Sequence, residues 1–326
     1  SEMRGRIASA QHEVIELEQE ARERQRERKI NERKTAPSAR LPLLTERVAI
    51  DDVVSSGVAS LRPAVTPAAH LALVINLERR PDRLARVRAL PWGLKLRVQQ
   101  AVDGKSSELS WDGLVAAGDV HADAAKEAQW ASEASVPTLC RKTGSFSPHL
   151  TLAAVGCALS HRAAWQRLAS QQACDWALFL EDDVDSVAAA FDQQLQVLLR
   201  ALPLTWRMCY LGYHESANQL LSPSAQPTLC DAPEGSAVTG LFGYLLRRSA
   251  AEELLADTSL FPLRHQIDVV LSRRKWKKGS RFALSPDGVL LTSPRSEDGK
   301  CDTDVQTLGE PEADAHLHLP KEMLRL

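Results

Sequence analysis

From residue 70 onward the chain alternates short, nearly continuous apolar runs with stretches of helical periodicity. That alternation predicts an α/β fold with a mainly parallel central sheet flanked by helices. Leu71 to Leu77 reads as a strand buried on both faces. Pro81 and Asp82 then open a helix whose Leu84, Val87 and Leu90 share one face. Val98 to Val102 is a short strand, and a helix runs from about Val155 to Ala169. Ala177 to Leu180 is a second buried strand, followed by a helix carrying Phe191, Leu195, Leu198 and Leu202. Met208 to Leu211 and Leu241 to Leu246 read as strands, and Ser249 with Glu252 has the spacing of a capping box.

The first seventy residues obey a different rule. Glu13 through Lys34 is an almost unbroken charged stretch, acid first and base last, with helix-spaced pairs Glu18–Arg22 and Glu20–Arg24. It reads as a charged helical arm, solvated or used for partner contact. Pro37, Pro42, Pro63 and Pro67 mark a tether. The division expected is 1–69 for arm and linker and 70–326 for the folded domain.

Bulk properties exclude several classes. A formal net charge of −2 over 326 residues provides no field for nucleic acid or an acidic membrane. The six cysteines form no Cys-x-x-Cys pair, so zinc ribbons and thioredoxin-like motifs are unsupported. No apolar run reaches transmembrane length. The chain has no Asn-x-Ser/Thr sequon, which fits the cytosol; a secretory lumen would require an upstream targeting segment.

The chemistry-bearing pattern is Ala177-Leu178-Phe179-Leu180 running into Glu181-Asp182-Asp183-Val184-Asp185. Ligands of open α/β sheets bind beyond the carboxyl ends of strands. Clustered carboxylates repel one another, and a hard divalent cation relieves the repulsion; a solvated acidic turn is the alternative. Asn76, Glu78, Arg79, Arg80 and Arg83 follow the first strand, where a helix N-terminus and arginines suit phosphate, although taken alone these are more often surface arginines of an amphipathic helix. Asp103-Gly104 is either a ribose-binding carboxylate or one half of a turn. Ser160-His161 lies within a helix, where the histidine either reaches a phosphate or metal or is satisfied in the core. Asp268, near a helix start, is a candidate general base or a first-turn charge. Asp302-Thr303-Asp304 is a polar loop able to close over a site, and Arg273 to Lys278 reads as a basic helix face.

In order along the chain, Val74-Ile75-Asn76-Leu77-Glu78-Arg79-Arg80-Pro81-Asp82-Arg83-Leu84, Ala101-Val102-Asp103-Gly104, Gly156-Cys157-Ala158-Leu159-Ser160-His161 with Trp165, and Leu180-Glu181-Asp182-Asp183-Val184 resemble glycosyltransferase family 25. Weaker agreement continues through Tyr210-Leu211-Gly212, Gly243-Tyr244-Leu245-Leu246, Asp268 and Asp302-Thr303. The resemblance implies a GT-A-like nucleotide-binding fold, a UDP-sugar donor, usually UDP-galactose, and an inverting transfer to a glycan or protein hydroxyl. It also implies Mn²⁺ or Mg²⁺ held by Glu181 and Asp183. Asn76, Arg79, Arg83, Asp103, Gly104, Ser160, His161 and Asp182 would belong to the donor site. Asp268 would be the base, with Asp302 beside it in the catalytic set.

Two departures from the family pattern stand out. Ala153-Ala154 replaces a Gly-Glu pair common in the family, and Lys105 to Leu150 reads as an enlarged, irregular connection that could cover the acceptor side. A non-catalytic binding or assembly module of the same fold is the alternative reading. A metal-dependent phosphohydrolase fits the acidic cluster alone and leaves the other blocks unexplained.

Overall fold

The alternation is realised in a computed structural model that describes residues 70–136, 139–140, 149–214, 216, 219–232, 238–294 and 308–309. The charged arm, its linker and Asp302 to Asp304 lie outside the described residues. Strands β1 (His70–Asn76), β2 (Arg97–Gln100), β4 (Trp176–Glu181), β6 (Met208–Gly212), β7 (Leu229–Asp231), β8 (Gly243–Arg247) and β9 (Arg281–Leu284) form one sheet in the order β2-β1-β4-β8-β6-β9-β7. Four two-residue strands lie apart from it among the described residues, and of these β5 (Ser186–Val187) pairs β10 (Leu291–Thr292), while β3 is Leu139–Cys140. Strand β11 (Leu308–Gly309) pairs β3.

The sheet is more mixed than the sequence suggests. β1 pairs in parallel with β2 and β4, and β6 with β9, but β8 runs antiparallel to both β4 and β6, and β7 to β9. An apolar run buried on both faces carries no signal of direction, so β8 reads the same whichever way it points.

Seven helices accompany the strands among the described residues. They are α1 (Pro81–Ala89), α2 (Trp111–Ala116), α3 (Ala122–Glu133), α4 (Leu152–Ser170), α5 (Phe191–Ala201), α6 (Arg248–Ala256) and α7 (Ile267–Arg273). The connection expected to be irregular between Lys105 and Leu150 instead contains α2 and α3. The buried face of α3 is built from Ala124, Ala125, Ala128 and Ala131, too weakly apolar to announce a helix. Its N-cap is His121, whose Nδ1 accepts from the Asp123 N–H at 3.2 Å, a role seldom given to histidine.

Two local expectations are corrected. The capping box at Ser249 is not formed: α6 starts at Arg248 without a side-chain cap, and Ser249 accepts from Arg207 instead. The basic run also lies beyond α7 except for Arg273, the helix's last residue, rather than on a helix face; past the helix, Arg274 pairs with Asp257 at 2.7 Å and stacks on Trp276.

The topology itself selects a place for ligands. The chain leaves β1 through α1 to reach β2 on one side, then returns through α4 to β4 on the other side of β1. Connections that depart in opposite directions from adjacent parallel strands open a crevice at their carboxyl ends. Asn76 and Glu181 are the last residues of those strands.

Candidate active site

Asn76, at the end of β1, donates its amide to Arg80 O at 3.0 Å and to Asp182 Oδ2 at 2.6 Å. Arg83, on the first turn of α1, donates to the other oxygen of Asp182 at 3.0 Å. Both side chains of this ion pair are more than nine-tenths buried. Burial pushes the Asp182 carboxyl up, while Arg83 and the Asn76 hydrogen bond pull it down. Asp182 is thereby committed to a buried clamp joining the ends of β1 and β4.

Each arginine of the first block has a carboxylate. Arg80 holds exposed Asp82, whose carboxyl is lowered to about 2, chiefly by that hydrogen bond. Arg79 reaches Asp103 with Nε to Oδ2 at 2.7 Å, and about a third of each of these two side chains is exposed. Of the three pairs, Arg79–Asp103 stands in the crevice wall with the most open cation. Exposed pairs of this kind are worth about 1 kcal/mol or less, so a ligand can displace this one at small cost.

The Asp103 turn is seated on α4 by close packing. The Ser160 hydroxyl donates to Gly156 O at 2.6 Å and accepts the Val102 N–H at 2.8 Å. A Cβ on Gly104 would stand 2.3 Å from Ala153 Cα, and one on Gly156 would stand 2.6 Å from Val102 O. Both glycines are required because two backbones touch. Asp103-Gly104 is therefore a turn, as the plainer reading expected, and it also lines the crevice. Ala154 is buried against the core.

The remaining acidic residues separate by role. Asp185 leaves the cluster to accept from Thr292 Oγ1 at 2.7 Å. Glu181 is about a quarter exposed and contacts His161 Nε2 at 3.0 Å. Asp183 is pushed up to about 7, first by burial, then by the charges of Glu181 and Asp182, against Arg83 and a hydrogen bond from Ser293. Its Oδ1 is buried with no hydrogen-bond partner. A buried carboxylate oxygen left bare is costly, and a hard cation is a fitting partner for it. With Glu181 beside it, the donor set is mainly oxygen, which suits Mg²⁺ or Mn²⁺. Cys157 Sγ, a His161 ring nitrogen and a Glu181 oxygen also lie within 4.8 Å of one another, but burial and the neighbouring carboxylates push the thiol well above its usual range.

Asp268 sits in the first turn of α7, as expected, and its Oδ1 and Oδ2 accept the N–H groups of Val269 at 2.7 Å and Gly240 at 3.2 Å. Burial raises its carboxyl above the ordinary value; those two hydrogen bonds and His214 oppose the rise, and Glu181 adds to it. The charge of Glu181 is felt at Asp268, which does not itself line the crevice.

The crevice is lined by Arg79, Arg83, Asp103, Gly104, Ser160, His161, Glu181, Asp182 and Asp183, together with Cys157, Ala153 and apolar residues of β1 and its neighbouring loops. Asn76 does not line it and acts from behind the wall. The profile of glycosyltransferase family 25, described as LPS biosynthesis protein, matches residues 70–271, more than half of the chain. The chain belongs to glycosyltransferase family 25. A comparison with curated proteins found no match. The family 25 region includes every described crevice residue and Asp268, and ends before Ser293. Ser293 had no sequence signal, because a serine beside a short apolar strand is unremarkable.

Proposed function

We propose that this family 25 glycosyltransferase is an inverting, metal-dependent enzyme with a GT-A-like domain. It moves a hexose, galactose first and glucose as the alternative, from a UDP-sugar to a hydroxyl of a glycan or protein acceptor. The observation that carries the reading is the bare, buried Oδ1 of Asp183 beside Glu181 at the carboxyl end of β4. The family description by LPS biosynthesis supports a glycan among the acceptors.

Glu181 and Asp183 would hold Mn²⁺ or Mg²⁺, which supplies charge neutralisation for the departing diphosphate. Arg79 and Asp103 face the crevice as a separable pair, able to turn to the diphosphate and to ribose hydroxyls respectively. Asp182, held by Asn76 and Arg83, keeps the two strand ends in register. Asp268 takes the proton from the acceptor hydroxyl: two backbone donors fix its carboxylate, and burial raises its affinity for the proton.

Purified protein given Mn²⁺ and a panel of UDP-sugars should release UDP slowly onto water, fastest from UDP-galactose or UDP-glucose. No release and no thermal shift with any of the panel would overturn the proposal.

A further inference from the structure

Behind the acidic cluster stands a chain of three fully buried side chains. Trp165 on α4, Tyr244 on β8 and His161 on α4 are each 0% exposed. Trp165 Nε1 donates to Tyr244 Oη at 2.8 Å, and Tyr244 Oη lies 2.9 Å from His161 Nδ1. His161 Nε2 lies 3.0 Å from Glu181 Oε1. Phe179 stacks on the Tyr244 ring at 5.1 Å, holding it in place.

Proton counting leaves one neutral arrangement. An indole N–H can only donate, so Tyr244 Oη must accept from Trp165. Burial holds the tyrosine proton, raising its pKa well above the usual value. If His161 carried its proton on Nδ1, that proton would also point at Tyr244 Oη. The tyrosine proton would then have no acceptor among the described residues, and a bare Nε2 lone pair would face an oxygen of Glu181. Buried donors without acceptors are costly. If Tyr244 donates to Nδ1 instead, His161 keeps its proton on Nε2 and gives it to the carboxylate, and every group is satisfied.

We propose that Trp165, Tyr244 and His161 form a one-way hydrogen-bond relay that fixes His161 as its Nε2–H tautomer and orients Glu181. They are positioning residues. In this arrangement His161 is not a metal ligand, because the nitrogen facing the cluster carries a proton. The Cys157–His161–Glu181 grouping is then no cation site of its own, and one Glu181 oxygen is held while the other stays available. The consequence for metal affinity rests on the proposed function above; the tautomer does not. Partners that orient a ligating group typically change metal affinity 10- to 100-fold when removed.

The test is ¹⁵N NMR of the His161 ring in metal-free, full-length protein, followed by titration with diamagnetic Mg²⁺ and by calorimetry with Mn²⁺. The relay predicts the Nε2–H tautomer before and after Mg²⁺. Tyr244→Phe should mix the tautomers and weaken Mn²⁺ binding 10- to 100-fold in protein that remains folded. His161→Gln, whose amide can accept from Tyr244 and donate to Glu181, should retain more Mn²⁺ affinity than His161→Leu. A structural role alone would lower the melting temperature and leave tautomer and affinity unchanged. An Nδ1–H tautomer, or loss of the Nε2 proton on adding Mg²⁺, would overturn the relay. A wild-type protein with the Nε2–H tautomer and no affinity for Mn²⁺ would leave the relay standing and remove the metal reading instead.

Discussion

The amide of Asn76 lies 2.6 Å from the carboxylate of Asp182, a hydrogen bond spanning 106 residues of sequence. It joins the carboxyl ends of the two strands between which the sheet's connections diverge. With Arg83 on the other oxygen, the central member of Glu181-Asp182-Asp183 becomes a buried strut in the crevice wall, between two neighbours that also line it.

Breaking that strut from one side should be costly. Arg83→Met leaves Asp182 buried without its cation, and loss of a buried partner costs about 3–5 kcal/mol. Urea unfolding should show that loss. Adding Asp182→Asn should recover a large part of it, so the double-mutant cycle will be far from additive.

The two glycines of the crevice wall should behave unlike an open one. Gly104→Ala puts a methyl 2.3 Å from backbone of α4 and should destabilise by several kcal/mol while disturbing the Asp103 turn. Gly118→Ala meets nothing within 4 Å and carries only the left-handed backbone cost of φ +74°, roughly 1–2 kcal/mol. Comparing the two unfolding midpoints checks this directly.

These contacts show what a linear reading can and cannot reach. β1, β4 and the helix after Pro81 are legible because the unbroken apolar runs Leu71 to Ile75 and Trp176 to Leu180, or a proline at a helix start, carry local signals. The acidic motif is legible as a cluster. The division of labour inside it is not, since it depends on Arg83, Thr292 and Ser293, which are 99, 107 and 110 positions away from Asp182, Asp185 and Asp183. α3 escaped because its buried stripe is alanine. The direction of β8 escaped because burial on both faces removes alternation, and with it went the pairing of Tyr244 with His161.

Asp183 should reveal its burden in metal-free protein. Its carboxyl sits at about 7, above the ordinary 3.8, so its protonated form favours folding at low pH and that stability is lost as pH rises through 7. Asp183→Asn should therefore match wild type near pH 4 and melt higher than wild type at pH 8. Wild type should also show a rise in melting temperature with Mn²⁺, and the same variant should lose it.

Asp268→Asn should keep its two backbone hydrogen-bond partners nearby and lose the proton acceptor. Transfer to an acceptor hydroxyl should fall about 10²- to 10⁴-fold in kcat with donor affinity little changed. Steady-state kinetics alongside UDP-sugar binding separates the two quantities.

The most direct measurement of the central claim is calorimetric titration of UDP into wild-type protein and Asp183→Asn, each with Mn²⁺ and with EDTA. Wild type should bind UDP tightly only with Mn²⁺, and the variant should bind equally weakly in both. UDP binding that ignores the metal, or that survives Asp183→Asn unchanged, would contradict a donor site built on Glu181 and Asp183.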